Sequence, residues 1–407
     1  MTPYDGTPRG SQERNRLRLQ LARRAWYSFT VRLVLATATC VGSSSALLAQ
    51  PPAAASSEDH QAGHDQPPST GTTEVEYPLF RLSGFADVDF SAQDRSEGPR
   101  GFSEGQFVLH LAAALSPRVN FFGELSFTPR ADAGTGTPPA TGFNAEVERV
   151  IIRFDQSDKL KASFGRYHTP INWWNTAFHH GSWLQTTISR PEMVQFGGRF
   201  IPVHFVGALV EGSLPAGGWN VNYQAGLGNG RGNVISRAGD AGDNNNRPAW
   251  LLNVFTKPDQ AFGLQVGGSA YFDRISTAGR PDYDERILAG HVVWQHEDPE
   301  FIAEIADVRH DEVGGVLSES SLAYYAQVAY RLPVFNHRWK PYFRFEHIRV
   351  AQADPIFAGV PNLDGSTVGV RYDASTYAAI KFEGRFRQRV SDQPLTNGAF
   401  VQICFTF

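Results

Sequence analysis

From Leu79 onward, apolar and polar residues alternate with a period of two in one short run after another. In QFVLHLAAAL, Phe107, Leu109, Leu111 and Ala113 share one face, with His110 and Ala112 on the other. VNFFGELSF sets Val119, Phe121, Leu125 and Phe127 against Asn120, Glu124 and Ser126. WNVNYQAGL sets Trp219, Val221, Tyr223 and Leu227 against Asn220, Asn222 and Gln224. YAAIKFEGRFRQR sets Ile380, Phe382 and Phe386 against Lys381, Glu383, Arg385 and Arg387. In GAFVQICFTF, Val401, Ile403, Phe405 and Phe407 oppose Phe400, Gln402, Cys404 and Thr406. A soluble β core does not accommodate a polar, charged interior of this kind. The pattern therefore predicts apolar faces turned outward to lipid and a polar interior: an all-β, transmembrane antiparallel β-barrel of about 16 strands.

Connections alternate in length. LSPRV, DQSDKL, TKPDQ, HEDPEF and YDASTY are tight, whereas SAQDRSEGPRGFSEG, PRADAGTGTPPATG, GNGRGNVISRAGDAGDNNNRP and AQADPIFAGVPNLDG are long. Short turns at one end and long loops at the other mark an outer-membrane barrel, with both chain ends on the short-turn side. Trp219, Trp294 and Trp339 fall at that end, where an aromatic girdle belongs. One loop stands apart, GRYHTPINWWNTAFHHGSWLQTTISRPEMVQFGGR, after the fifth expected strand. It holds Trp173, Trp174 and Trp183, with Ile171 and Phe178, which water-exposed loops avoid. Folded inward, it buries these groups and narrows the lumen as a constriction loop.

Composition agrees: 39 Gly, 12% aromatic residues with 29 Phe, and only 19% charged residues suit strands and turns. A net charge of −4 gives no reason to expect a nucleic-acid partner. Arginines from Arg9 to Arg32, then LVLATATCVGSSSALLAQ, read as a secretory signal over residues 1–49. Residues 50–76, rich in Pro, Ala, Ser, Gly, Thr and His, read as a disordered periplasmic linker, and 77–407 as the barrel. With Cys40 in the signal, Cys404 is a small strand residue with no intramolecular partner.

By alternation Arg149, Arg153, Lys161, Arg331, Lys340, Arg344, Arg371, Lys381, Arg385 and Arg387 face the lumen, against Glu124, Asp155, Glu346 and Glu383. Such cations lower the barrier for anions in a pore, or brace the wall through pairs such as Arg344–Glu346 and Lys381–Glu383. Arg385 and Arg387 have no acid evident beside them. Arg166 falls on the outward parity, which implies a bulge or rim position. His179, His180 and Ser182 form no hydrolase dyad on rigid elements, so no catalytic residue and no enzyme activity is expected. His168, His179 and His180 lack a carboxylate at ligand spacing except Glu192, so no metal and no other cofactor is expected.

The signal, the linker, the strand number and VERVIIRFDQSDKLKASFGRYHTPI with its long following loop resemble the phosphate-selective porin O and P family. That resemblance implies a trimer of barrels passing small anions along arginine and lysine ladders, with lysines on the constriction loop. Between Tyr167 and Gln195, however, the loop has no lysine and a single arginine, Arg190, and offers His168, His179 and His180 instead. The expectation is an outer-membrane porin for passive diffusion of small hydrophilic solutes with modest anion preference. Arg149, Arg153, Lys161, Arg166, His168, His179, His180, Arg190, Arg344, Arg371, Lys381, Arg385 and Arg387 are its pore-lining candidates. Its partners are then outer-membrane lipid, the barrel assembly machinery, small solutes or anions and two further copies of itself. The alternative is a non-conducting outer-membrane barrel used for adhesion, as a scaffold or as a membrane hydrolase.

Overall fold

A computed structural model describes residues 75–94, 100–130, 132–195, 200–235, 239–360, 362–389 and 396–407. The signal and nearly all of the linker lie outside them. Sixteen strands follow one another: β1 (Leu79–Gln93), β2 (Gly101–Ala114), β3 (Val119–Pro129), β4 (Phe143–Ser157), β5 (Leu160–His168), β6 (His204–Leu214), β7 (Val221–Asn229) and β8 (Ala249–Thr256). The second half comprises β9 (Leu264–Ile275), β10 (Tyr283–Gln295), β11 (Glu300–Glu312), β12 (Ser318–Ala329), β13 (Trp339–Arg349), β14 (Leu363–Asp373), β15 (Ala378–Arg389) and β16 (Thr396–Thr406). Each pairs antiparallel with its neighbour, and β16 returns to β1 to close the barrel. Closure leaves no strand edge unpaired, the condition for a sheet in hydrocarbon.

The alternation resolves as expected on the outside. Phe107, Leu111, Leu125, Phe154, Phe164, Leu227, Val254, Phe343, Phe382, Ile403 and Phe405 are all exposed, forming an apolar belt around the barrel. Their strand neighbours Glu124, Ser126, Asn253, Gln402 and Cys404 are buried on the lumen side. Above the belt, toward the long loops, outward positions turn polar: Leu288 gives way to Arg286 and Asp284, and Ile305 to Asp307 and Arg309. Trp219, Trp294 and Trp339 lie at the short-turn end.

The inside departs from the expectation of a polar lumen throughout. On β8–β13, Leu251, Tyr271, Ile287, Val293, Ile302, Val308, Ala323, Tyr325 and Ile348 point inward and are buried. They pack against Ile171, Trp173, Trp174, Met193 and Val194 of the loop after β5, so that this side of the lumen holds a hydrophobic cluster. Inward apolar residues are stable there because the loop, not water, covers them.

Candidate functional site

The loop after β5 enters the barrel and crosses it. A single-turn helix, Trp174–Phe178, sits near its start and a 3-10 turn, Glu192–Val194, near its end. Some of its backbone groups bond within the loop, as Ala177 to Trp173 and Gln185 to Gly181, and wall side chains satisfy others. Glu304 on β11 accepts from the amides of Trp173 and Trp174 at 2.8 and 2.6 Å. Glu383 on β15 accepts from the amides of Ile188 (2.9 Å) and Ser189 (3.2 Å), and Glu346 on β13 from that of Glu192 (2.5 Å). Arg344 donates to the carbonyls of Ser189 (2.8 Å) and Arg190 (3.0 Å) and to Ser189 Oγ. Arg371 donates to the carbonyls of Trp183 and Gln185, and Lys381 to those of Ser182 and Thr187.

These contacts place the expected pore-lining cations in two groups. Arg344 and Lys381 are both 0% exposed and Arg371 is buried; they hold the loop rather than face open space. Arg344 also pairs with Glu346 at 3.0 Å, as the sequence suggested, but Lys381 does not pair with Glu383. Glu383 pairs instead with Arg385 at 2.5 Å, and the Arg385 guanidinium lies 3.6 Å over the Phe400 ring, so Arg385 does have an acidic neighbour. The side chain of Arg387 lies outside the described residues. Arg153 pairs with Asp155 (2.7 Å) and Glu211 (3.6 Å), Arg149 with Glu124, and Lys161 is half-buried opposite Glu211.

The irregularity inferred at Arg166 lies on the partner strand. Glu124 pairs with Arg149 and Leu125 with Val147, leaving Glu148 as the extra residue of a bulge in β4. Two consecutive side chains, Glu148 and Arg149, thereby both turn to the lumen. Arg166 caps the bulge, donating to the carbonyls of Val147 (2.5 Å) and Glu148 (2.7 Å) and pairing with Asp240 (2.9 Å). A second bulge interrupts β2 opposite Asp87 and aims Gln106 inward. Gln106 Oε1 and Glu148 Oε1 then take the two ring nitrogens of His180, Nδ1 at 3.1 Å and Nε2 at 3.2 Å.

His180 belongs to a buried cluster at the root of the loop. The rings of His168 and His179 lie 3.8 Å apart, His179 and His204 4.8 Å, and His179 and His180 4.6 Å, between centroids. Glu148 Oε2 is 2.8 Å from His204 Nε2, and Glu124 Oε2 is 3.6 Å from His168 Nε2. Burial, with His168 and Arg190 alongside, holds His179 well below the ordinary histidine value of 6.5. Arg190, under the Trp174 ring at 4.9 Å, donates to the carbonyl of His179, and burial pulls its guanidinium down to about 9. Sequence reasoning found His168, His179 and His180 but offered them no carboxylate other than Glu192. It missed His204, Glu148 and the role of Glu124, which reach the cluster from β6, β4 and β3. One signal was present: Glu148–Arg149 breaks the alternation of VERV.

Two polar cavities flank this cluster. One of about 350 Å³ is lined by Asp89, Gln106, His179, His180, Arg190 and Arg385 among others. The other, of about 190 Å³ nearer the short-turn end, is lined by Arg149, Arg153, Tyr167, His168 and Glu211 among others. A groove of about 490 Å³ lined by Val88, Phe107, Phe127, Phe143 and Phe405 lies on the lipid-facing side and belongs to the membrane contact.

No protein-family model and no curated protein sequence matches this chain. Solved structures do. The outer membrane channel DcaP of Acinetobacter baumannii superposes with a TM-score of 0.55 at 11% identity, covering 81% of this chain and 97% of that one. OmpF of Salmonella typhi, in complex with daunomycin, gives 0.54 at 11% over 81% and 97%. The outer membrane protein OmpT of Vibrio cholerae, in its trimer form, gives 0.51 at 12% over 82% and 100%. The fold is that of an outer-membrane β-barrel.

Proposed function

We propose that this protein is an outer-membrane porin through which small hydrophilic solutes diffuse, with residues 169–195 as its constriction and no catalytic activity. The observation that carries this reading is the pair of polar cavities on either side of an inward-folded loop, inside a closed barrel with a lipid-facing apolar belt. Resemblance to the phosphate-selective porin family and the fold shared with a solved channel support it. The same reading includes insertion by the barrel assembly machinery and assembly as a homotrimer, the form in which one similar barrel was solved.

Anion preference is a finer part of the proposal, and the geometry makes it small. Arg344, Arg371 and Lys381 are spent on the loop, and Arg149, Arg153 and Arg385 each have an acid in contact. What remains is a local bias at the short-turn cavity, where Arg149 and Arg153 meet Glu211. In water such charges are screened beyond about 8 Å at physiological salt.

Single-channel recording in a planar bilayer tests both parts. Discrete conductance steps with a reversal potential slightly on the anion side, shrinking as salt rises, are expected. Protein that inserts but passes no current establishes the non-conducting alternative. Cation preference at low salt removes the anion assignment and leaves the channel.

A further inference from the structure

We propose that Glu148, His168, His179 and His204 bind a divalent transition-metal ion of the Zn²⁺ class, joining β4, β5 and β6 to the root of the constriction loop. One ligand atom from each of these residues falls within 4.8 Å of all the others. A tetrahedral ion with ligands at about 2.0–2.2 Å draws such atoms to roughly 3.4 Å apart, a contraction of about 1 Å each. Three imidazoles and one carboxylate are a donor set suited to Zn²⁺ and its neighbours.

Two observations point to a ligand rather than to a packed polar cluster. Neither ring nitrogen of His168 makes a hydrogen bond, although the ring is 95% buried by its 5% exposure. That is an unusual state for an imidazole away from water. The orientation of the His179 ring is also set by its surroundings. Asn175 Nδ2 donates to the carbonyls of Thr169 (3.0 Å) and Val203 (2.9 Å), which fixes Asn175 Oδ1 as an acceptor. Asn175 Oδ1 at 2.8 Å and Arg190 Nη2 at 3.1 Å both lie at His179 Nδ1, so Nε2 is the nitrogen this ring would offer an ion. An imidazole oriented through its far nitrogen in this way is the usual arrangement around a bound metal. Glu148 is oriented too, accepting from Ser126 Oγ at 2.8 Å. The 350 Å³ cavity reaches His179 and provides an entry path.

The test uses the full chain folded in detergent, stripped with a chelator and titrated with Zn²⁺ by calorimetry and with Co²⁺ by visible absorption. One ion per chain and the intense Co²⁺ bands of a tetrahedral site are expected. Glu148→Gln and His179→Ala should each weaken Zn²⁺ binding by more than about 100-fold, beyond what loss of an outer partner costs. His291→Ala, a buried histidine elsewhere in the lumen that contacts Gln265 at 2.9 Å, should bind as the parent does. If His179→Ala fails to fold, Glu148→Gln, which keeps the size of the side chain, decides alone. Absence of one-to-one binding in the parent overturns the proposal. So does binding that both variants retain.

Discussion

Arg344 shows how a residue read from alternation changes meaning once its surroundings are known. Its guanidinium is spread over Glu346, Gln327, Thr187 and the carbonyls of two loop residues, with none of it exposed. Removing one partner of a buried pair costs about 3–5 kcal/mol, because the other is left charged and dry. Arg344→Ala should therefore loosen the loop, seen as new protease cleavage between residues 183 and 195 and as noisier, larger conductance. Arg153→Ala, at a half-exposed pair, should leave both unchanged and move only the reversal potential. Gly84 is a second such site. A Cβ there would lie 2.4 Å from Phe407 Cζ and 2.6 Å from the Val108 carbonyl, at the seam where Gly84 and Phe407 exchange backbone hydrogen bonds of 2.9 and 3.1 Å. Gly84→Val should lower the temperature of heat-modified gel mobility by an amount corresponding to about 1–3 kcal/mol. An unshifted transition would mean that the seam yields freely.

Among the elements, strands were legible and their exceptions were not. A period of two survives wherever lipid covers one face, so Phe107, Leu111, Leu125, Leu227, Phe382, Ile403 and Phe405 lie on the side expected of them. The constriction loop was legible too, through tryptophans that no exposed loop would carry. Its anchoring was hidden, because Glu304, Glu346 and Glu383 reach it from strands more than a hundred residues later, and spacing along the chain carries no trace of that. The bulge in β2 was hidden for a related reason, and that in β4 showed only as the break at Glu148–Arg149. Each shifts parity by one position, so Gln106 and Glu148 look misplaced until β3 between them is seen. Deleting residues 172–192 should raise conductance roughly two-fold or more if this loop sets the narrowest section. It should also lower thermal stability, since Tyr325, Ile302 and Ile287 lose the aromatic groups that cover them. Unaltered conductance would show that the loop narrows nothing.

At the scale of the molecule, the outside was easier to infer than the inside. Lipid imposes one rule on every outward residue, and a charge at mid-membrane costs about 2–4 kcal/mol. Replacing Phe382, exposed on the belt, with Arg should impair insertion, whereas Arg286 sits above the belt and Arg286→Ala should insert normally. Folded protein in detergent should give a β-rich circular dichroism spectrum; a helical one would be incompatible with the barrel. The inside obeys no single rule, because wall and loop were solved together. With β8–β13 filled, the cavities follow β1–β7, β15 and β16. A solute using these cavities would keep to that flank of the wall. A passage confined to that flank would be narrower across than along the wall, so among solutes of equal mass a flat ring that slides edge-on should outpace a compact, rounded one.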